Sequence, residues 1–194
     1  MYIPKHFEIT DSAEIDRFIE ANSFGQLISL HDGAITSTHL PFLHDLKAEK
    51  LICHLARANP QWQQISGQAV LITLPGNHAY VSPSWYKVTG VPTWNYQAVH
   101  VQGVAAVFND PDRLKHVVDT LTAQNESGFD NPWTPDYAAK MLSGIVGVEI
   151  AISSLQCKFK LSQNRSAADQ SNVRQQLDRA GYKSLAGAMA KELE

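Results

Sequence analysis

The sequence predicts a mainly β fold with helical decoration, an α+β chain built on an antiparallel β-barrel with C-terminal helices. Three observations predict it. About seven or eight short runs alternate apolar and polar residues in hairpin-like succession. An Asp32-Gly33 dipeptide, the pair favoured at tight hairpin turns, separates the first two of them. Helical periodicity is confined to the chain ends and to one segment between late strands, the pattern of a barrel with appended helices. The 194 residues suffice to bury a core unaided, so no second core is needed. The expected organisation is a domain over 1–165 and a helical tail over 166–194 packed on the barrel or on a partner subunit.

In chain order, Asp11-Ser-Ala-Glu14 has capping-box spacing, and Ile15, Phe18 and Ile19 follow on one helical face, predicting a helix over 11–21. A hairpin follows, from Phe24 through Leu27-Ile-Ser-Leu30 to the turn and back along Ala34–Phe42, its second arm rich in hydroxyls. Leu51–Ala56 reads as a third strand. Asn59 and Pro60 suit the cap and first position of a short helix, whose N-terminus beside Arg57 would suit a phosphate. Ala69–Leu74 and His78–Val81 read as two strands joined by a Pro75-Gly76-Asn77 turn, and 95–109 as one long strand. Asp110 and Pro111 start a helix that turns Leu114, Val117, Val118 and Leu121 inward. Residues 123–135 read as a loop bearing Trp133, and 136–142 as a helical turn. Gly144–Ile152 and Cys157–Leu161 read as two strands, the second with Lys158 and Lys160 on one face and Phe159 and Leu161 on the other. The tail is helical and broken near Gly181.

Composition excludes several classes. Sixteen Lys and Arg against nineteen Asp and Glu give a net charge of −3, with no basic run to grip nucleic acid. The tail from Arg165 onward counts five basic and four acidic residues, which favours a solvated or dimer-packing helical pair over a DNA-recognition helix. No apolar leader opens the chain and no stretch is long enough to span a bilayer, so a cytoplasmic protein without membrane contact is expected. Cys53 and Cys157 are too few for a disulfide framework and read as reduced and buried. Cys53 and His54 are adjacent on a strand and point to opposite faces, there is no Gly-x-Ser-x-Gly elbow, and the eight histidines lack metal-ligand spacing. No catalytic nucleophile and no metal site are expected. His39, His54 and His100 are nominal ligands for haem, although a lone strand histidine is more often a hydrogen-bonded core residue.

What remains is a binding protein. The stretch 82–101 concentrates Trp85, Tyr86, Trp94 and Tyr96 on a loop and at a strand mouth, as suits either a core cap or a platform for a flat ligand. Glycine-rich phosphate cradles are absent, so a nucleotide would need side-chain donors, available in Thr36, Ser37, Thr38, Arg57, Lys158 and Lys160. Dispersed donors on an antiparallel barrel with a Trp/Tyr loop fit a flavin mononucleotide (FMN) site.

Six segments in order carry a resemblance: Met1–Phe7, Thr38–Phe42, His54–Trp62, Tyr80–Tyr86, Val91–Tyr96 and Lys160-Leu-Ser-Gln-Asn164. They resemble the PaiB family of FMN-binding negative transcriptional regulators, on the flavin-binding split barrel shared with pyridoxamine-phosphate oxidase. The resemblance implies a homodimer with FMN in clefts at the subunit interface. It places Thr36, Ser37, Thr38 and His39 beside the flavin, Arg57 and Asn59 at its phosphate, and Trp94, Asn95, Tyr96 and Gln97 at the isoalloxazine or the interface. Lys160 and Ser162, with Gln163 and Asn164, lie on the closing strand. The oxidases carry a basic pair where this chain has only Arg57, so a flavin here would lean more on hydroxyls and on the lysines near 158–160. A flavin-dependent oxidoreductase or flavin reductase using the same cleft is the alternative function.

Overall fold

The computed structural model describes residues 1–191. Among them run strands β1 (Glu8–Ile9), β2 (Phe24–His31), β3 (Ala34–Pro41), β4 (Leu43–Asp45), β5 (Lys50–Ala56), β6 (Ala69–Val81), β7 (Thr93–Phe108) and β8 (Ile145–Lys160). The helices are α1 (Ser12–Ala21), α2 (Trp62–Ile65), α3 (Pro111–Glu126), α4 (Ala167–Arg179) and α5 (Lys183–Lys191). The strands form one mostly antiparallel sheet in the order β3-β2-β6-β7-β8-β5-β4, with β1 on β8, and its path does not close on itself. No described helix is long and apolar enough to cross a membrane. The contacts separate two compact units whose boundaries fall within α1, β6, β7 and β8.

The larger unit holds Asp16–Leu74 and His100–Leu155. Its hairpin is as the sequence predicts: Asp32 and Gly33 both take positive φ (49° and 78°), the primed turn whose twist matches the strands, and Leu27 pairs with Thr38 and Ser29 with Thr36. Against β5, β8 pairs Cys53 with Val148 and Leu55 with Val146, and Leu51, Cys53, Leu55, Val146, Val148 and Ile150 are buried. The opposite face of β5 turns Ile52 to a second cluster, in which α3 buries Leu114, Val117 and Leu121 with Leu43, Phe108 and Leu142. Asp110 caps α3, its carboxylate accepting from Arg113 N at 2.8 Å.

The smaller unit holds Met1–Ile15, Pro75–Val99 and the chain from Gln156. Here α4 ends as the sequence predicts at Gly181, whose φ of 90° closes a Schellman turn: Tyr182 N donates to Leu177 O and Gly181 N to Asp178 O. The two tail helices bury Val173, Leu177, Leu185, Ala186 and Met189. Of the two, α4 docks on the aromatic loop, Lys87 N donating to Asp169 Oδ1 at 2.8 Å and Asn172 Nδ2 to Trp85 O at 2.5 Å.

Five local expectations are corrected. Pro75-Gly76-Asn77 does not turn the chain: β6 runs straight through, because its register with β2 ends at Thr73 and Pro75 lies past it, where a missing N–H costs that ladder nothing. Residues 145–161 are not two strands; β8 is continuous, since Ser153–Gln156 contains no Gly or Pro to break it and Ser153 Oγ donates to Gln102 O on β7. The helix placed at Asn59-Pro60 starts only at Trp62 and lasts four residues. α3 runs four residues into the segment read as a loop, and the helical turn expected at 136–142 is a 3-10 turn at Ala139–Gly144. The short β4 was not anticipated.

Candidate functional site

In the larger unit, β3 and the β5–α2 corner bring Thr38 and Asn59 together. Thr38 Oγ1 donates to Gln61 Oε1 at 2.6 Å and accepts from Asn59 Nδ2 at 3.0 Å. Asn59 Oδ1 in turn accepts from Gln61 N at 3.0 Å. Asn59 is thus the head of a side-chain turn rather than a helix cap. Gln61, only 1 % exposed, completes the cluster by donating to Ser29 Oγ at 2.9 Å and to Leu27 O at 3.2 Å. Sequence reasoning missed Gln61, because nothing in a Pro-Gln-Trp run announces a buried amide.

Thr36 joins that network through its carbonyl, which accepts from Gln61 Nε2 at 3.4 Å, and the side chains of Thr36, Ser37 and His39 stand outside it. Thr36 is half-buried and Ser37 and His39 are exposed on the strand at the end of the sheet path. His39 stacks on Phe24 with ring centroids 6.2 Å apart and has Gln26 Nε2 2.9 Å from its Nε2. Arg57 lies at the predicted corner, held by the fold: Nε donates to Ser143 O at 2.6 Å, and Nη2 to Asn109 Oδ1 at 2.9 Å and Ile145 O at 2.8 Å. Its own carbonyl accepts from Trp62 Nε1 at 2.9 Å. Two of its three guanidinium nitrogens are thus spent on the protein.

In the smaller unit, the four residues Trp94–Gln97 divide by strand alternation. Asn95 (0 % exposed) and Gln97 point inward, Trp94 is 54 % exposed, and Tyr96 is half-buried. Asn95 Nδ2 donates to Ser162 Oγ at 2.9 Å, which returns a bond to Asn95 Oδ1 at 3.2 Å, and Met189 Sδ is 3.5 Å from the same amide nitrogen. Ser162 takes a left-handed φ of 71° at the end of β8. Trp94 meets Tyr80 edge-on at 6.1 Å. Lys160 Nζ donates to Thr93 Oγ1 and to Trp94 O, each at 2.6 Å, and burial, then the charges of Lys158 and Arg165, hold it below the usual lysine range.

The titratable residues considered for other chemistry are closed off. Burial pushes the Cys53 thiol well above its ordinary value and Cys157, beside Glu14, up to about 12, so neither offers a thiolate. His54 is held below the usual imidazole range by burial, and its Nδ1 is buried without a hydrogen-bond partner. Among the described residues no group of three or more His, Cys, Asp or Glu stands where it could hold a metal ion.

Comparison with known proteins places this arrangement. Residues 1–154 match the family model described as "Putative FMN-binding domain". The chain is 40% identical over 185 residues to the "Protease synthase and sporulation protein PAI 2" of Bacillus subtilis (strain 168), covering 91% of this chain and 89% of that one. Among solved structures it is similar in fold to the flavocytochrome Anf3 from Azotobacter vinelandii, with a TM-score of 0.67, 14% identity, and coverage of 88% of this chain and 78% of that one. It is likewise similar to the FAD and heme binding protein from Mycobacterium smegmatis, with a TM-score of 0.66, 15% identity, and coverage of 84% and 78%. By the extent of the family match and by its likeness to the Bacillus protein, the chain belongs to the PaiB-type FMN-binding domain family.

Proposed function

We propose that this protein is a cytoplasmic, homodimeric FMN-binding negative regulator of transcription. The observation that carries the flavin reading is the row of polar side chains on β3. The hydroxyls of Thr36 and Ser37 and the His39 imidazole, whose Nε2 meets Gln26, lie on the end strand of the sheet path, outside the side-chain bonds of Gln61 to Thr38 and Ser29, within the residues that match the family. The donor chemistry fits the group: hydroxyls and an imidazole suit flavin carbonyls and ribityl oxygens, and a guanidinium fixed at two nitrogens is a pre-set cation for an anionic group. When bound, the isoalloxazine supplies reversible redox chemistry, and the protein supplies binding and orientation.

The homodimer reading is supported by an apolar groove of about 370 Å³ in the larger unit, lined by Ile28, Leu30, Ile35, Val70, Leu71 and Val104. Leu30 and Ile35 face each other across the hairpin, and Ile35 is 76 % exposed, so a second copy has apolar area to cover. Regulation by direct DNA contact is the weaker arm. Asp169 and Asn172 of α4 are spent on the aromatic loop, and the tail's charges nearly cancel.

The test is spectral and hydrodynamic. Purified chain, as isolated or reconstituted with FMN, should show flavin absorbance at one flavin per chain and a dimer mass, and should shift promoter DNA in a salt-sensitive manner. A colourless chain that FMN does not reconstitute overturns the flavin reading. A monomer mass removes the dimer, and DNA that does not shift removes direct repression.

A further inference from the structure

Within the larger unit, the chain that leaves α3 folds back along the helix. Lys115, Asp119 and Glu126 recur on one flank of α3, beside the face that buries Leu114, Val117 and Leu121. Two bonds pin the returning segment to that flank: Tyr137 Oη donates to Asp119 Oδ1 at 2.6 Å, and Trp133 N donates to Glu126 Oε2 at 2.7 Å. The segment does not seat fully on the helix. A cavity of about 540 Å³ lies between them, lined by α3 on one side and by Pro132, Trp133 and Pro135 on the other.

Trp133, which the sequence places on a loop, gives this cavity its wall. Its ring is stacked on Tyr137 with centroids 6.5 Å apart and planes 26° apart, and the residue is 50 % exposed. The cluster under α3 takes in Tyr137 but not Trp133, so core packing does not account for the indole.

Charge then decides what the cavity accepts. Residues 119–136 hold four carboxylates, Asp119, Glu126, Asp130 and Asp136, and no lysine, arginine or histidine. Lys115 also lines the cavity, but it is paired with Asp119. Glu126 is not neutralised: one oxygen takes the Trp133 N–H, and among the described residues no cation pairs with it. An indole face beside a carboxylate that keeps its charge suits an organic cation, since the ring attracts the charge, the carboxylate accepts its N–H bonds, and indole and prolines cover its hydrocarbon.

We propose that the cavity between α3 and the Pro132–Pro135 segment is a receptor for a small primary ammonium ion with an apolar body. Glu126 accepts from the ammonium group, and Trp133 covers the body. No residue of the flavin reading takes part.

The test is a magnetic-resonance titration of the nitrogen-labelled full chain, following the Trp133 indole N–H signal, which is identified by its loss in Trp133→Phe. Three probes of similar shape and different charge are compared: phenethylamine, phenethyl alcohol and phenylacetate. The receptor predicts that phenethylamine moves the signal saturably and binds about tenfold or more tighter than either other probe. Glu126→Gln, which keeps an oxygen for the Trp133 N–H, should weaken phenethylamine about tenfold and leave the alcohol unchanged. Asp130→Asn, outside the cavity lining, should weaken it by less than about twofold. Equal binding of the three probes, tighter binding of phenylacetate, or a signal that none of them moves overturns the proposal. Equal losses in Glu126→Gln and Asp130→Asn, the mark of a diffuse field, also overturn it. Should Glu126→Gln fail to fold by circular dichroism, the probe comparison on the parent decides alone. Amine binding without flavin binding overturns only the flavin reading, and flavin binding without amine binding overturns only the receptor.

Discussion

The two units use their charged side chains in opposite ways. In the larger one, Glu149 accepts from Lys50 at 3.1 Å and from Arg113 at 2.8 Å, and Asp119 accepts from Tyr137 at 2.6 Å and pairs with Lys115. Arg57 is spent on two carbonyls and an amide oxygen. In the smaller one, three cations meet only neutral oxygens and aromatic rings. Charge in the larger unit ties its own strands and α3 together and leaves one guanidinium nitrogen of Arg57 uncommitted, whereas the three cations of the smaller unit form no ion pair among the described residues.

The comparison can be broken most forcefully in the larger unit. A Cβ at Gly147 would lie 2.2 Å from the Phe108 ring, which belongs to the cluster under α3. Gly147→Val should therefore lower the urea midpoint by the equivalent of about 3 kcal/mol, the cost of forced overpacking. Gln61→Leu comes next: it strands Ser29 Oγ and the Thr38–Asn59 pair, and should cost about 2 kcal/mol in the same assay.

Charge substitutions give smaller effects of opposite sign. For Glu149, burial raises the carboxyl's pKa, and the hydrogen bonds from Lys50 and Arg113 outweigh it, leaving the group below its ordinary 4.5. Its stabilising share is complete above that value and is lost as pH falls through the folded value. Glu149→Gln should cost about 1 kcal/mol at neutral pH and flatten the acid limb of stability against pH. Lys160 is held below its ordinary 10.5, so the unfolded chain takes up that proton first and stability declines as pH falls from 10.5 until folded Lys160 is charged. Lys160→Met should flatten this alkaline limb and leave the neutral-pH melting temperature of ligand-free protein equal or higher. A clear fall would place Lys160 with the structural cations of the larger unit.

Legibility in the sequence followed how local each cause is. The Asp32-Gly33 turn, the Asp110 cap and the Gly181 helix stop are set by a few neighbouring residues, and all three stand where the pattern puts them. Lys158 and Lys160 lie two apart on β8 as the pattern puts them, but Lys158 is buried like Phe159, and Leu161 lies past the strand's end. Pro75-Gly76 misled because a proline's effect depends on which neighbouring strand would have taken its N–H, a long-range fact. Gln61 was invisible for the same reason, its partners lying more than twenty residues away on β2 and β3. Among the candidate residues, chain position is legible but exposure only partly: Trp94 and Ser37 lie open, while Asn95, Gln97 and Ser162 lie inside.

The central claim, that this chain binds FMN, is tested most directly by paired fluorescence-quenching titrations of the apo full chain with FMN and riboflavin at two salt concentrations. The account predicts one FMN per chain, a preference for FMN over riboflavin of about tenfold or more, and a preference that shrinks as salt rises. Binding of neither flavin, or equal salt-independent binding of both, would contradict it.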